Sequence, residues 1–529
     1  MTADALFLEV CLAIAALLAA RNLFHWFQLE SYQFPGYFRT VRRTVPRSVL
    51  AGFVLSVIWL LLSIVIPETN GSLQGWARAV VLGMMMLGIG FYFFYASSKA
   101  SAKKKMVYTS RLKRLIGTAV LVHFALLTLL YVLFARQAVF SIFFLLLPFV
   151  TALDGLLAWP LEKGISEMYF RDAQKILKER SDLIRIGITG SWGKTSVKFI
   201  LGSLLKEKYN TLVTPKSFNT PMGVTKVIRT QLEPGHRVFI AEMGARHVGD
   251  IKEMCRLVHP QIGIITSVGP QHLDTFKTIE RVTKTKYELI DALPEDGIGF
   301  FADDGGIVRE LYQKTKVEKM LAGMSPEVDD VWAENLEIST KGSQFMLCTR
   351  NDRIQCHTEL LGELNIKNIL ISAAVCIRLG MTLKEIARGI ARLKSVEHRL
   401  QLISNNQIQV IDDAFNSNIR GAEQAFNVLK AFPSKRIVVT PGMVELGDRE
   451  EEMNRTFGQL MASSCDIAVL IGVKRSQPII EGLKQKGFPE NNLVVVHSLS
   501  EAEEYLKKTA ASGDTILFEN DLPDNYSEE

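Results

Sequence analysis

Polar residues are sparse over the first 160 positions, and neither a period of two nor one of 3.6 organises them. Instead, five stretches, 6–20, 48–66, 77–96, 115–135 and 138–160, are almost continuously apolar. Each has about the ~20-residue length of a bilayer-crossing helix, so the pattern predicts a helical transmembrane domain over 1–160. The first stretch is the shortest and contains Glu9.

After Pro160 the pattern changes. Residues 161–181, "LEKGISEMYFRDAQKILKERS", carry apolar positions at helical spacing between charges, which predicts an amphipathic connecting helix. From Leu183, short β-rich runs alternate with helical stretches: "LIRIGIT", "VFIAEM" and "IGIITSV", with helices near Lys194 and around Thr283 to Leu293. That alternation predicts a parallel sheet covered by helices. A second alternating series, "QVIDDAF", "RIVVTPG", "IAVLIGV", "NNLVVVHS" and "TILFEN", predicts a separate Rossmann-like domain. The expected fold is therefore a helical transmembrane domain followed by α/β: a phosphate-loop, parallel-sheet ATPase domain over 182–399 and a C-terminal Rossmann-like domain over 400–529.

Charge adds an orientation. The chain has a formal net charge of +6, and much of the positive charge lies between apolar stretches. The segment 97–114 carries Lys99, Lys103, Lys104, Lys105, Arg111, Lys113 and Arg114 without an acid, and Arg39, Arg42, Arg43 and Arg47 precede the second stretch. Basic loops stay on the cytoplasmic side. Threading the spans by that rule puts the Met1 end outside and everything after Pro160 in the cytoplasm, at a multi-pass cell membrane whose lipids are the expected surroundings. The acidic start, "MTADALFLE", lacks the basic region of a cleavable signal. Six cysteines form no CxxC pair and are expected to be reduced, buried thiols. No feature points to nucleic acid.

Candidate chemistry begins where the first soluble strand ends. "TGSWGKTS" places Gly190, Ser191, Gly193, Lys194, Thr195 and Ser196 between a strand and a helix, where backbone N–H groups and a helix N-terminus receive phosphate oxygens. In such a loop the lysine reaches the β and γ phosphates of ATP and the threonine holds Mg²⁺. Ile188 stands five positions before Gly193, so the spacing departs from GxxxxGKT.

Further stretches follow in a recognisable order: "FNTPMGV" (218–224), "AEMGARHVGDI" (241–251), "TSVGPQHLDTF" (266–276), "KTKYEL" around Lys286, "GELNIKNILISAA" (362–374), "VEHRLQ" (396–401), "IDDAFNSN" (411–418) and "GMVELGD" (442–448). With the TGxxGKT loop they resemble the Mur ligases, the ATP-dependent amide-forming enzymes of peptidoglycan precursor assembly, and most of all the branch that adds D-Ala-D-Ala.

The resemblance implies roles. Asn219 and Thr220 belong to a substrate loop, Glu242 binds Mg²⁺, and His272 reaches a second metal ion. Lys286 is the lysine carbamylated in the family to provide a metal-binding carboxylate, since hard cations take oxygen ligands. Asn365 and Asn368 face the adenosine, Arg399 reaches the ATP phosphates, Asp413 contacts the ribose, and Asn416 lies near the amino substrate. Glu445 and Gly447 line the cleft. The sequence departs from the family at Leu364, where histidine is usual, at His398, where glycine is usual, and at Trp192, where smaller residues are common.

What the resemblance implies is a ligase that activates a muropeptide carboxylate as an acyl phosphate and joins it to an amino acid or dipeptide, and the apolar spans add the expectation that it is membrane-anchored. Closure about 400–408 would bring the last domain over the site. The likeness does not cover the first 180 residues, where soluble Mur ligases carry a domain for UDP-MurNAc-peptide. The acceptor is therefore either UDP-linked, with the spans as anchor, or lipid-linked. A poly-γ-glutamate-type synthetase is a further alternative, and an ATP-driven transporter or a non-catalytic scaffold a distant one. For transport, the spans lack a run of charges, His123 and Asp154 standing isolated in the sequence.

Overall fold

The computed structural model describes residues 2–66, 72–99, 105–134, 136–216, 218–271, 273–404, 408–415, 417–444, 446 and 449–521. Glu68, Lys103 and Lys104 of the early loops lie outside them. The chain divides into two compact units, Met1–Met168 and Tyr169–Glu529.

All five apolar stretches are helical. Leu73–Lys99 and Ser110–Phe134 are each long and apolar enough to cross a bilayer, and Val49–Val65, within the helix Val45–Val65, is a shorter apolar segment. The first stretch, Ala3–Ala19, meets Arg21–Leu29 at a 45° bend. The fifth differs from expectation. It is broken, with Gln137–Leu145 bent by 78° against Leu147–Lys178, and the latter helix runs on through Pro160. The expected span and the expected connecting helix thus share one continuous helix, Leu147–Lys178, with Pro160 inside it.

Ala3–Ala19 packs closely on Leu73–Lys99 through small residues: a Cβ on Gly90 would lie 2.7 Å from the Ala15 carbonyl oxygen, and one on Gly83 2.9 Å from Cys11 Sγ. Several polar groups inside this unit are paired with one another. His123 Nε2 lies 3.1 Å from Asp154 Oδ2, both side chains fully buried, so the two are not isolated but join neighbouring helices. Arg114 makes a two-pronged contact with Glu162 at 2.5 and 2.8 Å, and Thr128 donates to Glu9 at 2.9 Å. The outward side chains are apolar, Leu121 being 72% and Val132 71% exposed.

The second unit holds two sheets. The first contains β1 (Ile184–Thr189), β2 (Thr211–Val213), β3 (Val238–Glu242), β4 (Ile262–Ile265), β5 (Ile298–Ala302), β6 (Glu318–Gly323), β7 (Val331–Ser339), β8 (Gly342–Thr349) and β9 (Arg353–Thr358). Their order is β2-β3-β1-β4-β5-β6-β7-β8-β9, parallel as far as β7 and then an antiparallel meander. β3, β4 and β5 are buried at every position, the pattern of strands covered on both faces.

The second sheet contains β10 (Gln401–Ser404), β11 (Gln409–Asp413), β12 (Arg436–Thr440), β13 (Ile467–Ile471), β14 (Leu493–Val496) and β15 (Thr515–Glu519). Its order is β10-β11-β15-β12-β13-β14, with only β10 antiparallel. The run β14-β13-β12-β15 has the order of a Rossmann sheet, but the far edge is closed by the preceding hairpin β10–β11 rather than by later strands. All six cysteines are free and buried.

Candidate active site

The site is built where β1 ends. Gly193, with φ +82°, caps the helix Lys194–Leu205 in a left-handed conformation that glycine adopts at no steric cost. Gly190 is needed for close approach, since a Cβ there would lie 2.1 Å from Thr266 Oγ1. The loop is tied to the segment after β4: Ser191 Oγ donates to the Gly269 carbonyl at 2.9 Å, and the Trp192 amide donates to Ser267 Oγ at 2.7 Å. The Trp192 ring occupies the space above Gly269, where a Cβ would come within 2.2 Å of it. Trp192 thus has a structural account that the sequence did not offer: the bulky ring is matched by a missing side chain opposite.

Lys194 turns its ammonium onto its own loop, donating to the carbonyls of Gly190 at 2.6 Å and Ser191 at 3.0 Å. Burial draws its pKa down to about 8. Thr195 Oγ1 lies 3.1 Å from each oxygen of Glu242. The register Ile188↔Glu242 between β1 and β3 brings that carboxylate beside the loop. Asn219 Nδ2 also donates to Glu242 at 3.1 Å, and Lys198 Nζ stands 2.9 Å from Glu242 Oε2. Burial works to raise the Glu242 pKa, but Lys198, Lys194 and the Asn219 hydrogen bond outweigh it and hold the carboxyl below its ordinary value. Thr220 caps the helix Pro221–Gln231, its hydroxyl accepting from the Gly223 amide at 3.3 Å. Ser196 is buried in the first turn after the loop.

Lys286, on the helix Ile279–Asp291, is 3% exposed and has neither a hydrogen bond nor an ion pair among the described residues. Burial, and then the neighbouring Lys194, push its pKa well below the ordinary lysine value. Such burial disfavours the charged ammonium relative to the neutral amine. His272 lies outside the described residues. Among those described, no three His, Cys, Asp or Glu side chains cluster as metal ligands. The oxygen donors Thr195 and Glu242 nevertheless fit Mg²⁺, which takes one or two carboxylates and completes its shell with phosphate and water.

On the other side of the loop, Asn368 Oδ1 would meet a Cβ on Gly193 at 3.0 Å. Asn365 is used locally, Nδ2 donating to the Leu361 carbonyl at 2.9 Å. Arg399 donates to the Phe415 carbonyl at 3.0 Å and lies over the Phe415 ring at 4.3 Å. His398 adopts φ +59°, the left-handed region where glycine is favoured, and its ring pairs with Asp412 at 2.7 Å. Asp413 accepts from the Leu400 amide at 3.1 Å. Its register partner is Glu519, whose Oε1 accepts from Ser417 at 2.5 Å. Burial pushes Asp413 up to about 6 and Glu519 well above the glutamate range. Asn416, Glu445 and Gly447 lie outside the described residues.

Sequence reasoning passed over Lys198 and Glu519. Lys198 had a signal, standing four residues after Lys194 and so on the same helix face. Glu519 had none beyond closing the last apolar strand.

A phosphate-type loop on a parallel sheet, with a carboxylate and three lysines around it and a second doubly wound domain beside it, defines a nucleotide-dependent two-domain enzyme. Residues 188–376 match the Mur ligase middle domain and residues 398–519 the Mur ligase, glutamate ligase domain. UDP-N-acetylmuramoyl-tripeptide–D-alanyl-D-alanine ligase of Escherichia coli is 30% identical over 337 residues, covering 61% of this chain and 74% of that protein. The corresponding ligase of Bacillus subtilis is 26% identical over 337 residues, covering 63% and 72%. In fold, the chain is similar to MurF ligase from Thermotoga maritima, solved in complex with ADP, with a TM-score of 0.61 at 24% identity over 69% of this chain and 82% of that one. The chain belongs to the Mur ligase family and is an ATP-dependent ligase that forms a carbon–nitrogen bond. Neither domain match extends before residue 188.

Proposed function

We propose that this enzyme is anchored in the cell membrane, with its catalytic domains in the cytoplasm, and joins a carboxylate of a cell-wall muropeptide precursor to D-Ala-D-Ala or a similar amine through an acyl phosphate. The observation that carries this reading is the meeting of Thr195 and Glu242 beside Lys194 at the mouth of the loop.

A carboxylate and an amine do not condense unaided in water, so the carboxylate first needs a leaving group. Lys194 and the N–H groups at the helix start would hold the β and γ phosphates, and Arg399 would add a second cation. The substrate carboxylate, positioned by Asn219 and Thr220, attacks the γ-phosphorus; ADP leaves and an acyl phosphate forms. The neutral amine, near Asn416 and Glu445, then attacks the acyl carbon and inorganic phosphate departs. Asp413 would orient the ribose, and Asn365 and Asn368 would face the adenosine.

Thr195 and Glu242 would hold Mg²⁺, which supplies charge neutralisation for the triphosphate. Lys286, buried and without a partner among the described residues, is suited to add CO₂; the resulting carbamate, with His272, would give oxygen and nitrogen donors for a second ion. Anchoring is supported by the long apolar helices, their exposed Leu121 and Val132, and the basic segments on one side of the threading.

A lipid-linked acceptor is the second reading, favoured because the helical unit occupies the part of the chain that the family match leaves uncovered. One experiment separates the readings. Full-length protein in detergent is incubated with ATP, Mg²⁺, D-Ala-D-Ala and either UDP-linked or lipid-linked muropeptide, and products are identified by mass. Incorporation of glutamate instead would favour a poly-γ-glutamate-type synthetase. ATP turnover that needs no acceptor and survives Lys286→Ala would refute the ligase mechanism.

A further inference from the structure

Lys198 is one of the largest fully buried side chains in the protein, and lysine is rarely buried without a purpose for its charge. It lies one helical turn beyond Lys194, on the helix Lys194–Leu205. Its ammonium makes an ion pair with Glu242 Oε2 at 2.9 Å and donates to the Lys216 carbonyl at 2.5 Å. It also lies 4.5 Å from the centre of the Phe199 ring. Lys216 has φ +46°, so the backbone takes a left-handed turn where its carbonyl meets the ammonium. The same segment continues to Asn219, which donates to the other Glu242 oxygen.

Glu242 is thus fully compensated without any metal: a cation, an amide and a hydroxyl surround it. A divalent cation arriving alone must compete with a charge already fixed beside the carboxylate. One arriving with a triphosphate brings anionic ligands of its own and competes on better terms.

We propose that Lys198 is a positioning residue that acts as the resident counter-cation of Glu242, so that the carboxylate accepts a divalent ion only together with nucleotide, while the Lys216 carbonyl keeps the displaced ammonium in place. This rests on the reading of Glu242 as a metal carboxylate. A purely structural ion pair would have a different signature, because its loss would lower stability and leave a cation no better site than before.

The test uses full-length protein in detergent and Mn²⁺ alone as the probe, its binding followed by electron paramagnetic resonance without nucleotide. Lys198→Met removes the charge and leaves a buried carboxylate without its cation. The expected result is a Mn²⁺ affinity at least about tenfold above the parent protein, because one unit of neighbouring positive charge has gone. Lys198→Arg keeps the charge and should retain the parent's weak binding. Equal or weaker Mn²⁺ binding by a folded Lys198→Met protein overturns the proposal. If Lys198→Met does not fold, as judged by circular dichroism, Lys198→Gln takes its place under the same criterion. Glu242→Gln, measured with Mn²⁺ and ATP, separates the two levels of argument. Unchanged Mn²⁺–ATP binding in that variant rejects Glu242 as a metal carboxylate. Loss of that binding, with parent-like Mn²⁺ affinity in Lys198→Met, rejects only the role of Lys198.

Discussion

The hydroxyl of Thr195 lies 3.1 Å from both carboxylate oxygens of Glu242, a residue on the neighbouring parallel strand and far along the chain. Two side chains with no sequence proximity thus form one oxygen-rich point at the edge of a phosphate loop, flanked by Lys194. Lys194→Ala and Glu242→Gln should each reduce amide formation by about 10³-fold or more, the scale seen when a charge-stabilising group is removed from a transition state. Parent-like circular dichroism together with near-parent product formation in either variant would contradict the assignment.

Lys286 supplies a separate prediction. Its burial, and the lack of a partner among the described residues, favour the neutral amine, the form that adds CO₂. Protein equilibrated with ¹³C-bicarbonate should show a carbamate carbon resonance that is missing from Lys286→Ala. Removing CO₂ should lower ligation, and restoring bicarbonate should recover it in the parent alone.

Trp192 and Gly269 form a size-matched pair, with a Cβ at position 269 falling 2.2 Å from the indole. Gly269→Ala should displace the ring and weaken nucleotide binding by about tenfold, through loss of the loop's support. Trp192→Ala combined with Gly269→Ala should recover part of that loss, a coupling of about 0.5–3 kcal/mol in a double-mutant cycle. Additive effects would show that the two do not support each other.

The Asp413 and Glu519 carboxyls predict a pH dependence of stability. Burial, the largest influence on both, raises Asp413 to about 6 and Glu519 well above its usual value, with Arg399 only partly offsetting it. A raised carboxyl binds more protons in the folded than in the unfolded chain between the unfolded value, about 4, and the folded one. Its contribution is therefore most favourable below that window and is lost as pH rises through about 6. The Tm difference between Asp413→Asn and the parent should shift in favour of the variant as pH is raised from about 4.5 to about 7. A difference independent of pH would contradict the burial argument.

In the helical unit, His123 and Asp154 are fully buried partners. Asp154→Ala leaves the buried imidazole without its partner and should lower stability in detergent by about 1–3 kcal/mol, whereas His123→Leu with Asp154→Leu should cost less. Thermal unfolding in one detergent checks both. Similar losses for the single and the double variant would count against the pairing.

Much of this was legible in the sequence. Apolar length announced the helices, and alternation announced two α/β domains. The order of short motifs pointed to the family, because a phosphate loop depends on local glycines and on a helix start that neighbouring residues define. The 78° break before Leu147 was hidden because hydropathy carries no information about direction. The antiparallel edge β10–β11 was hidden because strand order is decided by long-range pairing.

By itself the sequence determined which segments are helix or strand, where the glycine-rich loop lies, and which types of side chain stand in it. Those properties follow from local backbone preference and hydrophobic periodicity. The tertiary structure alone decided that Glu242 faces Thr195, that Lys198 is fixed between that carboxylate and the Lys216 carbonyl, and that Asp413 and Glu519 stand side by side at the ends of paired strands. It also gave Trp192 a partner in Gly269. The physical reason is the same in each case: parallel-strand register and helix packing bring together residues far apart in the chain, and burial then sets what their charges can do.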